Sequence, residues 1–182
     1  MYHQRFLFLA VWGWILCGSP ARAAELIEIG SQRELFVDDM TWGLVQLPGN
    51  DKEYSVYATE AYYTGPDSRV RRFTYRVDGF VSVHASAAGG QLVTKPLLFA
   101  GTKLTINAAT AAGGRIRVAL EDADGVPLDG LTLADCQPFR GDAIEHTMTW
   151  TGGSNVGSQA GKPVRLRFEL QDADLYSLRF TD

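Results

Sequence analysis

The sequence predicts an all-β chain, an antiparallel β-sandwich of the jelly-roll or concanavalin-like kind with roughly eight strands. Apolar residues recur at every second position and nowhere at the three-to-four spacing of a helix. The alternating stretches follow one another at a spacing of about ten residues, and glycine-rich or acidic turn signals stand between them.

Residues 1–23 read as a secretory signal peptide. His3 and Arg5 precede an apolar run over 6–16, and Ala21-Arg22-Ala23 supplies a small-x-small cleavage pattern. The run holds about eleven to thirteen apolar residues, short of the roughly 20 needed to span a bilayer. Trp14-Ile15-Leu16 also lacks the small residues expected before a lipidated Cys17. The expected location is secreted or periplasmic, with no membrane association after cleavage.

Residues 24–52 form an N-terminal segment and linker. Leu26, Ile27 and Ile29 lead into GSQRELFVDD, and Pro48-Gly49-Asn50 marks a turn in the joining stretch. The sandwich is expected over 53–182. Residues 54–63 alternate, 69–77 place Phe73, Tyr75 and Val77 on one face, and 80–85 make a short third strand. Ala88-Gly89-Gly90 turns the chain, and Pro96 interrupts 92–99, which marks an edge or a bulge. Leu104, Ile106 and Ala108 give a strand, and Ala112-Gly113-Gly114 a turn. Ile116, Val118 and Leu120 give another strand, with Arg115, Arg117 and Glu121 facing outward.

At the C-terminus Val164, Leu166, Phe168 and Leu170 alternate with Arg165, Arg167 and Glu169. A polar break at Gln171-Asp172-Ala173-Asp174 precedes Tyr176, Leu178 and Phe180, so the ending reads as a β-hairpin with one buried face. A chain cut before Val164 should not fold. Two segments, RVALEDAD from Arg117 and RFELQDAD from Arg167, echo one another. Two copies are too few for a solenoid and point to the pseudo-symmetry of a Greek-key sandwich.

Seventeen basic residues stand against 21 acidic ones, a formal charge of −4 that becomes −6 when Arg5 and Arg22 leave with the signal. An acidic balance argues against a nucleic-acid partner, whose phosphates ask for a basic patch. Cleavage also removes Cys17 and leaves Cys136 alone, so no intramolecular disulfide can form and stability must come from the core.

Glu60-Ala61-Tyr62-Tyr63-Thr64-Gly65-Pro66, Arg71-Arg72-Phe73-Thr74, Asp78-Gly79-Phe80-Val81-Ser82-Val83 and the run GKPVRLRFELQDADLYSLRF carry a resemblance. Over roughly 53–182 the chain resembles the C-terminal β-sandwich of secreted bacterial proteins related to glycoside hydrolase family 32. GSQRELFVDD is similar to the opening of the same proteins, in which a propeller of several hundred residues separates the two. The resemblance therefore implies both ends of a longer protein joined without its middle, and an accessory module whose partner would be a catalytic propeller domain. The family's chemistry needs two positioned carboxyl groups, drawn from Asn-Asp-Pro, Arg-Asp-Pro and Glu-Cys segments of the propeller. Asn50-Asp51 is followed by Lys52, and Asp135-Cys136 falls inside the sandwich match, so no enzyme activity is expected of this chain.

Other candidates come from the residues themselves. Tyr62, Tyr63 and Trp150 flank turns where a flat ring could meet a sugar, and Arg72, in the cluster Arg69, Arg71, Arg72 and Arg76, could bind an anionic glycan. Asp122 and Asp124, in the oxygen-rich EDADGVPLDG, are candidate calcium ligands together with Asp174, although the spacing is not that of an EF-hand and Asp124-Gly125 suits a hairpin turn. No other cofactor is expected. His84 and His146 lie in alternating strands and define no Ser-His-Asp set; His146 shares its parity with Ile144, Met148 and Trp150, as a core histidine would. Cys136 reads as a small buried hydrophobe. Self-association, or an exposed cluster drawn from Tyr57, Tyr62, Tyr63, Phe73 and Arg72, is expected. The function these features suggest is a non-catalytic carbohydrate-binding or scaffolding module. A fragment or internally deleted form of an exported glycosidase-like protein and a calcium-dependent adhesion domain are the alternatives.

Overall fold

The computed structural model describes residues 41–61, 66 and 68–182. The signal peptide, most of the N-terminal segment and the ring pair Tyr62 and Tyr63 lie outside them. The regular structure among the described residues is nearly all strand, with one short 3-10 turn at Gly157–Gln159. Eight strands form two antiparallel sheets, one of three and one of five. Two compact units divide the described chain, 41–81 and 82–182, where the sequence suggested one sandwich beginning at residue 53.

In the first unit β1 (Thr41–Gln46), β2 (Glu53–Glu60) and β3 (Arg69–Arg76) pair in that order. Pro48-Gly49-Asn50 makes the expected turn, closed by Asn50 N donating to Leu47 O at 3.1 Å with Gly49 at φ +80°. The joining stretch is therefore half strand and half hairpin turn, because its alternating residues find a partner in β2. Tyr54 and Tyr75 pair across β2 and β3, and Phe80 lies against both rings, at 6.3 and 5.8 Å.

The second unit contains β4 (Val83–Ala85), β5 (Gly90–Val93), β6 (Lys103–Asp122), β7 (Asp142–Thr147) and β8 (Val164–Thr181). β8 is central: β4 and β5 pair with successive parts of one edge, and β6 with the other. The expected terminal hairpin is absent. Residues 164–181 are one strand, and so are residues 103–122, where the sequence suggested a turn at 112–114. The two supposed turns face each other, since the register passes from Thr110↔Ala173 to Arg115↔Gln171, with four residues of β6 opposite Asp172 alone. Asp172 takes a left-handed φ of +47° there, and its N–H donates to Ser86 O at 2.9 Å.

Both strands bend sharply. Leu97 N bonds Val164 O at 2.8 Å, and Thr102 N bonds Thr181 O at 2.7 Å. The five-residue step from 97 to 102 spans at most about 18 Å, whereas a straight strand over 164–181 would run roughly 56 Å. The ends of β8 can meet that short link only if the sheet folds back on itself, and this makes the sandwich. The inward residues of both halves, Leu104, Ile106 and Ala108 with Ile116, Val118 and Leu120 on β6, and Leu166, Phe168 and Leu170 with Ala173, Leu175 and Leu178 on β8, accordingly belong to one buried cluster. Pro96 sits on an edge as expected, between Thr94 and Leu97, whose N–H groups bond Leu166 O and Val164 O.

Candidate functional site

The echoing segments are partners in the sheet, where Arg117↔Glu169 and Val118↔Phe168 are direct cross-strand neighbours. Apolar residues alternate inward on both, so the intervening side chains share the outer face. From the corner outward the pairs are Arg115 with Gln171, Arg117 with Glu169, Ala119 with Arg167 and Glu121 with Arg165. β5 extends the rows, placing Gln91 beside Glu169 and Val93 beside Arg167. Gln91, Glu169 and Arg117 thus form a line across three strands.

The charges on this face are not equally committed. Glu121 is only 1% exposed, and Arg167 grips both its carboxylate oxygens while also donating to Gln91 Oε1 at 3.1 Å. A carboxylate so far from water needs that partner. Arg165 Nε donates to Ala123 O at 2.9 Å. Arg117 has a looser arrangement, with its Nη1 3.9 Å from Glu169 Oε2, beyond hydrogen-bond reach. Arg115 has no carboxylate partner among the described residues, and the Nε groups of Arg115 and Arg117 are buried donors without an acceptor.

A second polar group lies across the corner. Asp174 Oδ1 accepts from Ser82 Oγ at 2.9 Å and stands 3.1 Å from His84 Nδ1. These are the residue types of a hydrolase triad in the wrong order, because the carboxylate sits between serine and histidine and the imidazole does not touch the hydroxyl. Cys136 is buried, its Sγ accepts from Val118 N at 3.3 Å, and burial pushes its pKa up, which keeps it a thiol.

His146 packs its ring 4.6 Å from that of Phe139, and burial holds its pKa below the ordinary value. The folded state therefore resists protonation that the unfolded chain accepts. Stability is full above about pH 6.5 and falls as pH drops through that value towards the lowered folded pKa. Urea melts at pH 7.5 and 5 should show the wild type losing more stability than His146→Gln; equal losses would remove His146 as the cause.

The residues singled out from sequence are dispersed. Trp150 is 2% exposed, and its Nε1 donates to Val118 O at 3.0 Å, so the indole is core and offers no face to a sugar. Arg72 is exposed on β3, with its Nε on Ser55 Oγ at 2.9 Å, while Arg69 and Arg71 both pair with Glu60. Tyr57 and Phe73 are half-buried. Asp122 Oδ1 accepts from the N–H groups of Asp124 and Val126, each at 2.9 Å, and thereby shapes the hairpin turn at Gly125. Asp174 lies beyond the corner, and among the described residues no group of three His, Cys, Asp or Glu side chains is placed to hold a metal ion. The outer row had its signal in the echoing segments, whose pairing brings Arg117 and Glu169 side by side.

No family model, curated protein or solved structure matches this chain.

Proposed function

We propose that this chain is a secreted, non-catalytic β-sandwich module that binds carbohydrate in association with carbohydrate-active proteins. One observation carries the reading: Gln91, Glu169 and Arg117 make a row of planar polar side chains across β5, β8 and β6. Such groups alternate donors and acceptors in the way vicinal sugar hydroxyls require, on a rigid sheet that loses little entropy on binding. Among the described residues, Asp174 is engaged by Ser82 and His84, Glu121 by Arg167, and Cys136 by the core. The pairing of β1 with β2 also counts in favour of a working module, since a junction left by an internal deletion has no reason to complete a hairpin. The likeness of its two ends to secreted family 32-like proteins and the signal-like N-terminus support the association and the address.

Affinity electrophoresis of the purified protein through a panel of plant and microbial polysaccharides tests this. At least one glycan should retard it, with the shift lost in Gln91→Ala/Arg117→Ala at unchanged melting temperature. Free mobility in every gel would end the proposal.

A further inference from the structure

We infer that the ligand of this face is an acidic glycan, held through its carboxylate or sulfate groups by Arg115 and Arg117. The inference rests on the carbohydrate-binding reading and narrows it to one chemical class. Both arginines stand on the outer face of β6, two residues apart, which sets their Cα atoms roughly 6.6 Å apart. That separation presents two guanidinium groups in one direction along a strand.

The nearby carboxylates offset this charge only in part. Glu121 is sequestered by Arg167, and Glu169 makes one long ion pair with Arg117 at 3.9 Å, too far for a hydrogen bond, so Arg117 keeps its donors for a ligand. Arg115 lies opposite an uncharged residue, Gln171, whose Nε2 is spent on Ala87 O at 3.0 Å. Arg140 adds a third positive charge at the head of the row, fixed by its Nη1 on Gly113 O and Gly114 O at 3.0 and 2.9 Å. A basic strip of this kind in a chain of formal charge −4 is a local choice and not a consequence of composition. Guanidinium groups match the two oxygens of a carboxylate or sulfate in a bidentate fork, which lysine cannot reproduce.

The test uses the full-length purified protein with polygalacturonate, dextran sulfate, neutral dextran and inulin, and with inorganic phosphate as a free oxyanion. An acidic polysaccharide should be bound and should release with salt. Arg115→Gln/Arg117→Gln should weaken binding at least tenfold per arginine, roughly a hundredfold together. Arg115→Lys/Arg117→Lys, which keeps the charge, should recover less than a tenth of the lost affinity. Arg72→Gln, in the other unit, should leave binding unchanged. The better ligand of polygalacturonate and dextran sulfate identifies the oxyanion. Binding of neutral glycans alone would overturn this inference and leave the carbohydrate module standing, while binding of no glycan would overturn both. Full rescue by lysine, equal loss in Arg72→Gln, or phosphate competing as well as the polysaccharides would each show unspecific charge attraction and sink the proposal.

Discussion

A chain ending at Lys162 is expected to leave residues 82–162 unfolded. β8 pairs with β4, β5 and β6, so its loss strips the ladder partners from three strands at once. It also supplies Val164, Leu166, Phe168, Leu170, Ala173, Leu175 and Leu178 to the core cluster. Burying one large apolar side chain is worth about 1.5–3 kcal/mol, so the six large ones among these contribute on the order of 10 kcal/mol, as much as the whole net stability of a typical domain. Far-ultraviolet circular dichroism should show the strand signal of this unit lost, and proton–nitrogen spectra should show its amides collapsed to unfolded shifts. A truncated protein that still melted cooperatively with dispersed resonances from residues 82–162 would show that β8 is dispensable.

The sequence alone leads to the same expectation, for a reason that is half right. Alternation at Val164, Leu166, Phe168 and Leu170 is a local property of one strand with one wet face, and the structure has it. The polar break after Leu170 and the glycines at 113 and 114 also mark real departures from a flat strand. Whether such a departure reverses the chain or bends it depends on what lies opposite, and that is not local. Here each break is the other's partner, so both strands turn a corner together and continue. Trp150 illustrates the same limit. Its place beside a turn suggested exposure, but its indole N–H finds Val118 O, 32 residues away in sequence, and the ring is drawn into the core. The outer arginine row could be seen strand by strand as outward-facing charge. Its uneven neutralisation depends on cross-strand neighbours, because Arg167 takes Glu121 and leaves Arg115 and Arg117 without a carboxylate at hydrogen-bond distance.

The corner itself predicts the second large effect, at Gly114. A Cβ built there would lie 2.3 Å from Asp172 O and 2.9 Å from Gln171 O, both backbone atoms of β8. No side-chain rotation can relieve that contact. The two strands must separate at the point where they bend together, which disturbs the flanking pairs Thr110↔Ala173 and Arg115↔Gln171. Overpacking of this kind costs about 1–3 kcal/mol in a compliant core and more where backbone must move; Gly114→Ala is therefore expected to lose at least ~3 kcal/mol, or roughly 10–20 °C in melting temperature. Gly113 is the internal control. It has φ +88° and nothing within 4 Å of an added Cβ, so Gly113→Ala bears only the left-handed backbone penalty of about 1–2 kcal/mol. Asp172→Gly runs the other way, because φ +47° strains aspartate and not glycine. It should leave stability unchanged or raise it by less than ~1 kcal/mol, the left-handed preference of glycine being offset in part by its greater unfolded-state entropy. Thermal melts should therefore rank Gly114→Ala well below Gly113→Ala, and Gly113→Ala below the wild type and Asp172→Gly. If Gly114→Ala melted at or above Gly113→Ala, the close passage of β6 over Asp172 could not be what sets the corner, and the bend would have to be held by the core residues on either side of it.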